Sequence, residues 1–172
     1  MQVDKKIITT SYKQTQKLGE KFAREIFKMP PQKEAVVLGL QGNLGGGKTT
    51  FLQGFAKGLG IKENILSPTF VIQKKFQIPN PKSQSNTKYK ILNTKYLNFY
   101  HIDCYRLKNE KDILALGFKE IIQDSKNIVA IEWSEKIKKI LPKNMIMIEF
   151  KYIHPERNRR INKNKREIIF KI

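Results

Sequence analysis

Residues 42–49 constrain the fold of this chain more than any other segment. They read G-N-L-G-G-G-K-T, which matches the phosphate loop G-x-x-x-x-G-K-[ST]. The apolar residues 35–40 before them predict a buried strand, and residues 49–56 after them predict a helix. In a strand–loop–helix unit, inward-facing backbone N–H groups and the positive end of the helix bind phosphate. The segment therefore predicts a nucleotide-binding α/β domain.

The loop residues divide their roles by chemistry. Lys48 would neutralise the outer phosphates, and the Thr49 hydroxyl would hold Mg²⁺. We expect the nucleotide to contact a set of loop and helix residues: Asn43, Leu44, Gly45, Gly46, Gly47, Lys48, Thr49 and Thr50. Residues 109–112 contain the letters of the guanine motif N-K-x-D in the wrong order. ATP is therefore the expected nucleotide.

Length and composition bound the class of protein. The 172 residues contain one cysteine, and no apolar run approaches the roughly 18 residues needed to cross a bilayer. We expect a single P-loop ATPase domain over residues 1–172, in the cytoplasm and without a membrane partner. The net charge of +19 is compatible with a nucleic-acid partner. It also fits compositional drift in an AT-rich genome, because the lysines are spread along the chain.

Strand and helix patterns alternate along the chain. Strands are predicted at residues 6–9, 35–40, 70–78, 95–103, 128–133, 145–153 and 166–172. Helices are predicted from residue 10 or 11 to 28 and at 49–56, 109–116 and 134–141, with residues 117–122 extending the third or starting another. This order predicts a P-loop NTPase-like α/β sandwich, with a mostly parallel central sheet, antiparallel edge strands and flanking helices. Residues 79–94, rich in Pro, Ser, Asn and Lys, predict a flexible insertion.

Two carboxylates end predicted strands and are the candidate partners of the phosphate loop. Asp103 suits a metal-ligand role, and Glu132 suits the orientation or deprotonation of water, although the opposite division is open. Ser67 and Thr69 lie in a loop where a hydroxyl could sense the γ-phosphate and Mg²⁺, as in a switch segment. Trp133 is either a core aromatic or a lid over the nucleotide.

Two further polar residues in the same region have ordinary interpretations. His101 is interpreted as a strand residue rather than a catalyst, and Cys104 as a small core residue rather than a nucleophile. Neither is expected to take part in the chemistry.

Six short motifs follow one another along the chain. They are G-N-L-G-G-G-K-T-T-F at 42–51, L-G at 59–60, S-P-T-F at 67–70, H-I-D-C-Y-R at 101–106, L-G-F at 116–118 and E-W at 132–133. In this order they resemble the motifs of the bacterial TsaE family, also called YjeE. The resemblance implies an ATPase that acts with the TsaB and TsaD proteins in tRNA N6-threonylcarbamoyladenosine modification. It implies that tRNA is met through that complex, and that ATP hydrolysis resets the complex rather than transferring the group. It also implies nucleotide and Mg²⁺ sites at Lys48, Thr49, Asp103, Glu132 and Trp133.

The chain departs from the family pattern at several positions. Asn43 replaces a usual acidic residue, Gly46 replaces a usual alanine, and Ser134 replaces a common proline. We expect Ser134 to cap the helix that follows it. The insertion at 79–94 is longer than the family suggests, and Arg157, Arg159 and Arg160 lie in a predicted loop that could reach phosphate.

Two other functions are compatible with parts of the sequence. Residues 103–106 could place Asp103 and Arg106 beside an acceptor, as in a small nucleotide or metabolite kinase. Alternatively, the lysine-rich chain could be a tRNA-binding module in which nucleotide only stabilises the fold. The ordered set of motifs favours the ATPase.

Overall fold

The computed structural model describes residues 4–79, 95–153 and 165–171. Its strands are β1 (Asp4–Thr9), β2 (Val36–Gly42), β3 (Gln73–Gln77), β4 (Asn98–Asp103), β5 (Asn127–Glu132), β6 (Ile146–Tyr152) and β7 (Arg166–Lys171). Its helices are α1 (Tyr12–Lys28), α2 (Lys48–Gly58), α3 (Glu110–Leu114), α4 (Phe118–Gln123) and a 3₁₀ helix at Ser134–Ile140.

The strands form one seven-stranded sheet in the order β1-β7-β6-β2-β5-β4-β3. The central strand β2 pairs in parallel with β5 and β6, and β5 pairs in parallel with β4. The edge pairings β1–β7, β7–β6 and β3–β4 are antiparallel. This arrangement confirms the predicted fold class, a mostly parallel sheet with antiparallel edges and flanking helices.

Both faces of the central sheet are covered. Leu38 and Leu40 of β2 belong to a core cluster that includes α1 and α2, whereas Val37 belongs to a second cluster beneath α3 and α4. A strand buried on both faces needs apolar residues at successive positions, as residues 35–38 provide. The phosphate loop therefore begins at the carboxyl end of the most buried part of the sheet.

Helices α1 and α2 pack closely on one face of the sheet. The Ser11 hydroxyl accepts a hydrogen bond from the Gln14 N–H at 3.2 Å and caps α1 at its predicted start. On α2, a Cβ atom at Gly54 would lie 1.8 Å from the Gln16 carbonyl oxygen. The two helix backbones are therefore nearer to each other than any side chain at residue 54 would allow.

Most predicted elements differ from the observed ones by a few residues at their ends. Three of the differences have a clear cause in the backbone. Strand β3 is shorter than residues 70–78, because residues 70–72 form a turn in which Ile72 has φ 64°. Strand β5 ends at Glu132, because Trp133 adopts a left-handed conformation with φ 58°. The prediction for Ser134 was wrong: this residue begins a 3₁₀ helix whose cap position is Trp133, with no side-chain cap bond.

Gly117 settles the open question about residues 117–122. Its φ of 75° breaks the helical path after α3, so α4 is a separate helix. Two further predictions fall on residues that the structure does not describe: the insertion, apart from Pro79, and the loop with Arg157, Arg159 and Arg160. Within residues 4–79, 95–153 and 165–171, no helix has the length and apolar character needed to span a membrane.

Candidate nucleotide-binding site

The phosphate loop joins β2 to α2 in a conformation that requires glycine. Gly42 has φ 131°, and a Cβ atom on it would lie 2.2 Å from the Phe150 carbonyl oxygen of β6. Gly47 has φ 101° and is the cap residue at the start of α2. These positions let the loop lie against β6 while it turns into the helix, which directs the free N–H groups of the helix end toward the loop.

Lys48 is held in the mouth of the loop. Its ammonium donates hydrogen bonds to the carbonyl oxygens of Gly42 at 2.6 Å and Asn43 at 3.1 Å. The residue is only 4% exposed. Burial lowers the pKa of the Lys48 ammonium below its ordinary value, and the nearby Glu132 carboxylate opposes this shift. A buried cation whose hydrogen bonds go to carbonyl oxygens is a favourable position for a phosphate group.

The two predicted carboxylates lie side by side at the carboxyl ends of parallel strands. Asp103 of β4 is paired in register with Glu132 of β5, and both are almost fully buried. Glu132 accepts hydrogen bonds from the Thr49 hydroxyl at 2.8 Å and 3.0 Å. The strand ends therefore bring Glu132 directly to the hydroxyl that is expected to bind metal.

Asp103 contacts the predicted switch loop instead of Thr49. It accepts hydrogen bonds from the hydroxyls of Ser67 and of Thr69, the latter at 2.6 Å, and from the Tyr105 N–H at 2.9 Å. These contacts favour the second division of roles, in which Glu132 belongs to the metal site with Thr49. Asp103 then links the switch loop to the sheet.

The oxygen atoms of these side chains suit Mg²⁺. The Thr49 hydroxyl and the Glu132 and Asp103 carboxylates are hard oxygen donors, and Mg²⁺ in nucleotide sites uses one or two such groups together with phosphate and water. The residues present therefore fit the expected metal. They leave coordination positions for phosphate oxygens.

Trp133 lies over Lys48 at the edge of the site. The Lys48 ammonium is 4.0 Å from the centroid of the indole ring, and the Tyr105 ring centroid is 5.1 Å from it. The side chain is partly exposed. The ring also packs against the second core cluster. Trp133 therefore combines the contacts expected of a core aromatic with a position beside the phosphate loop.

These residues line one cleft of about 340 Å³. Its lining comprises Leu44, Gly45, Gly46, Gly47, Lys48, Thr49, Thr50, Ser67, Thr69, Asp103, Tyr105, Glu132 and Trp133. Every predicted site residue except Asn43 is in this set. Asn43 is exposed beside the cleft, and its carbonyl oxygen binds Lys48. A somewhat larger cavity, of about 380 Å³, lies next to Glu34 at the opposite end of β2 and contains neither the loop nor the carboxylates.

Arg106, the basis of the kinase alternative, lies elsewhere. Its guanidinium stacks over the Phe70 ring at 4.3 Å, and the residue is not part of the cleft lining. Asp103 is already engaged by Ser67 and Thr69. The contacts of Arg106 and Asp103 give the kinase alternative no specific support.

Sequence reasoning missed two residues at the site. Arg166 of β7 has a guanidinium nitrogen 3.4 Å from the Gly45 carbonyl oxygen, and its Cδ would lie 3.1 Å from a Cβ atom on Gly47. No local pattern reveals this contact, since it depends on β7 pairing beside β6. His101 lies 2.9 Å from Glu132. A signal for it was present, because residues 101 and 103 share one face of a strand.

Comparison with known proteins identifies the family. The family model described as threonylcarbamoyl adenosine biosynthesis protein TsaE matches residues 9–161. A Rickettsia typhi protein named tRNA threonylcarbamoyladenosine biosynthesis protein TsaE is 33% identical over 158 residues, covering 91% of this chain and 92% of the relative. A Haemophilus influenzae protein of the same name is 31% identical over 142 residues, covering 83% of this chain and 78% of the relative.

A solved structure agrees with these sequence relationships. The crystal structure of Bacillus subtilis YdiB matches with a TM-score of 0.68 and 28% identity, covering 99% of this chain and 86% of the other. The similarity in sequence extends over most of the chain, and the similarity in fold includes the sheet that carries the cleft. The chain belongs to the TsaE family.

Proposed function

We propose that this chain is the ATP-binding and ATP-hydrolysing component of tRNA N6-threonylcarbamoyladenosine modification. Membership of the TsaE family supports the role in this modification. The single observation that supports ATP hydrolysis is the convergence of Lys48, Thr49, Asp103 and Glu132 on one cleft. We further propose that TsaB and TsaD are its partners, and that hydrolysis permits their repeated turnover.

The cleft residues suggest how the phosphates are held. Backbone N–H groups of the loop and of the start of α2 would bind phosphate oxygens, and Lys48 would exchange its carbonyl partners for the outer phosphates. Thr49, with Glu132, would hold Mg²⁺, which when bound neutralises charge on the phosphates.

The remaining step is the orientation of an attacking water. A carboxylate next to the phosphate can accept a hydrogen bond from that water and align it with the bond to be broken. Asp103 is suited to this role if the switch hydroxyls of Ser67 and Thr69 move to the nucleotide and free its oxygens. A site that depends on a loop movement would be completed by a partner, so we expect slow hydrolysis by the chain alone.

The test is ATP hydrolysis by the purified chain, alone and with its cognate TsaB and TsaD. We expect the rate to rise with the partners, and modified adenosine to accumulate over several turnovers only when ATP is present. Glu132→Ala should lower the stimulated rate by at least about 100-fold, because it removes the carboxylate that would hold Mg²⁺ together with Thr49.

Glu120→Ala is the matched control, since Glu120 is exposed on α4 far from the cleft. It should hydrolyse ATP at the original rate. Stimulated hydrolysis that survives in Glu132→Ala would contradict the proposed site. Phosphate transfer to a small acceptor without any effect of the partners would favour a kinase.

A further inference from the structure

We propose that His101 is a positioning residue that fixes the Glu132 carboxylate for metal binding and hydrolysis. This inference rests on the proposed function, because it assigns a task within the same site. His101 lies on β4, two residues before Asp103, and is 0% exposed. Its Nε2 atom is 2.9 Å from the Glu132 Oε1 atom. The imidazole therefore contacts the carboxylate without lining the cleft itself.

The contacts of the ring assign its tautomer. A ring nitrogen that faces a carboxylate oxygen at 2.9 Å must carry the hydrogen, since two lone pairs would repel each other. The Nδ1 atom is buried and has no hydrogen-bond partner among the described residues. A neutral imidazole carries a single N–H, so the hydrogen belongs on Nε2 and the Nδ1 atom is left as an acceptor. His101 thus donates to Glu132 in a single, fixed arrangement.

Glu132 is consequently held from two sides. The Thr49 hydroxyl donates to it from α2, and His101 donates to it from β4. The Oε1 atom accepts from both donors. A partial rotation of the carboxylate about its last bond would weaken the hydrogen bonds from both donors. The Thr49–Glu132–His101 chain therefore fixes the orientation of an oxygen donor at the expected metal site.

The position of the ring also excludes free movement. His101 packs on Phe99 with ring centroids 6.5 Å apart and an interplanar angle of 18°. It lies opposite Ala130 of β5 in the sheet register. If residue 101 only filled space in the core, an apolar side chain would serve equally well, because it has no buried polar atom that needs a partner. The donor on Nε2 is the feature that an apolar side chain cannot supply.

Two amide substitutions separate positioning from packing. In His101→Gln the amide nitrogen reaches the place of Nε2, whereas in His101→Asn it reaches only the place of Nδ1, away from Glu132. Both variants are polar and neutral, so they carry similar burial costs. We expect His101→Asn to lower kcat about 10- to 100-fold with little change in the KM for ATP. We expect His101→Gln to retain kcat within about fivefold.

A second readout does not depend on hydrolysis. Nucleotide affinity can be followed by the fluorescence of Trp133, the only tryptophan, with and without Mg²⁺. In the original chain and in His101→Gln, Mg²⁺ should strengthen ADP binding by the same factor. In His101→Asn this factor should fall about tenfold, because Glu132 loses its orientation. Affinity without Mg²⁺ should be similar in all three proteins.

Asn98→Ala is the matched control for lost packing between the same strands. The Asn98 side chain donates to Asn127 at 2.9 Å, which joins β4 and β5 at the end remote from the cleft. This variant should lower Tm yet leave kcat and the Mg²⁺ effect unchanged. Equal values for His101→Gln and His101→Asn in both readouts would overturn the inference. Absence of hydrolysis in the original chain would instead overturn the proposed function, while the binding readout still tests His101.

Discussion

Trp133 lies directly after strand β5 and contacts the phosphate loop through Lys48. As the only tryptophan, it also provides a fluorescence signal from this site. Its indole ring lies 4.0 Å from the Lys48 ammonium, a distance at which the cation and the ring attract each other. Lys48 is also held by two carbonyl oxygens, so phosphate must compete with three contacts for the same cation. Binding of nucleotide should therefore change the surroundings of Trp133.

We predict that ADP or ATP changes the tryptophan emission of this protein, because phosphate draws Lys48 away from the ring. Lys48→Met should weaken nucleotide binding by about 10- to 100-fold, the effect of losing one charge-assisted hydrogen bond. Fluorescence titration measures both effects. Lys57→Met is a suitable control, since Lys57 is an exposed residue of the same helix. Unchanged affinity in Lys48→Met would contradict the role assigned to this lysine.

At the scale of elements, the contact between α1 and α2 has the least tolerance for added volume. A Cβ atom at Gly54 would meet backbone, the Gln16 carbonyl oxygen, and backbone cannot rotate out of the way as a side chain can. We predict that Gly54→Ala lowers the free energy of unfolding by about 1–3 kcal/mol, despite the higher helix propensity of alanine. Urea denaturation measures this change.

The control for that measurement is a substitution on the exposed side of the same helix. Lys57→Ala should change the free energy of unfolding by no more than about 0.5 kcal/mol. If Gly54→Ala were as stable as the original chain, the helices would have to be further apart than the structure places them.

The elements that could be predicted from the sequence are those determined by residues close together in the chain. Ser11 caps α1 through a hydrogen bond from a residue three positions later. The run of consecutive apolar residues in β2 predicts a strand that is buried on both faces. The phosphate loop is equally local. The order of the strands is not, because the pairing of β7 with β1 and β6 depends on contacts between distant residues. For this reason the place of Arg166 beside Gly45 could not be predicted from the sequence.

Local reasoning also failed where the backbone adopts a rare conformation. The backbone of Trp133 is in the left-handed conformation, which aromatic residues seldom adopt. The identity of the residue therefore does not predict this conformation. The error over Ser134 follows directly, because the turn at Trp133 places Ser134 inside the 3₁₀ helix instead of before it. In this conformation the Trp133 ring contacts Lys48 and Tyr105, which are distant from it in the sequence.

At the scale of the whole molecule, Cys104 reports unfolding. It is the only cysteine and is fully buried. Burial raises the pKa of its thiol from 9.0 to about 12, so the folded state favours the protonated form. The resulting contribution to stability is fully present below pH 9.0 and is lost as the pH rises toward about 12.

We predict that at pH 8 the native protein reacts with a thiol reagent at least about 100-fold more slowly than the protein in urea, because the thiol must first be exposed by unfolding. The absorbance released by an aromatic disulfide reagent measures the rate. Gly54→Ala should react faster than the original chain, by about tenfold for each 1.4 kcal/mol of lost stability. Labelling of the native protein at the unfolded rate would show that Cys104 is accessible.

The pairing of β1 with β7 has a consequence for how the molecule is made. Asp4 lies opposite Lys171, so residues at the two ends of the described chain must meet before β1 has its partner in the sheet. A ribosome releases β1 first and β7 last. Until then β6 has a free edge and the phosphate loop lacks its contact with Arg166. A nascent chain that stops before β7 would therefore carry the whole phosphate-loop sequence with an unfinished candidate site, and we expect a bound nucleotide to stabilise the fold only after β7 has been synthesised.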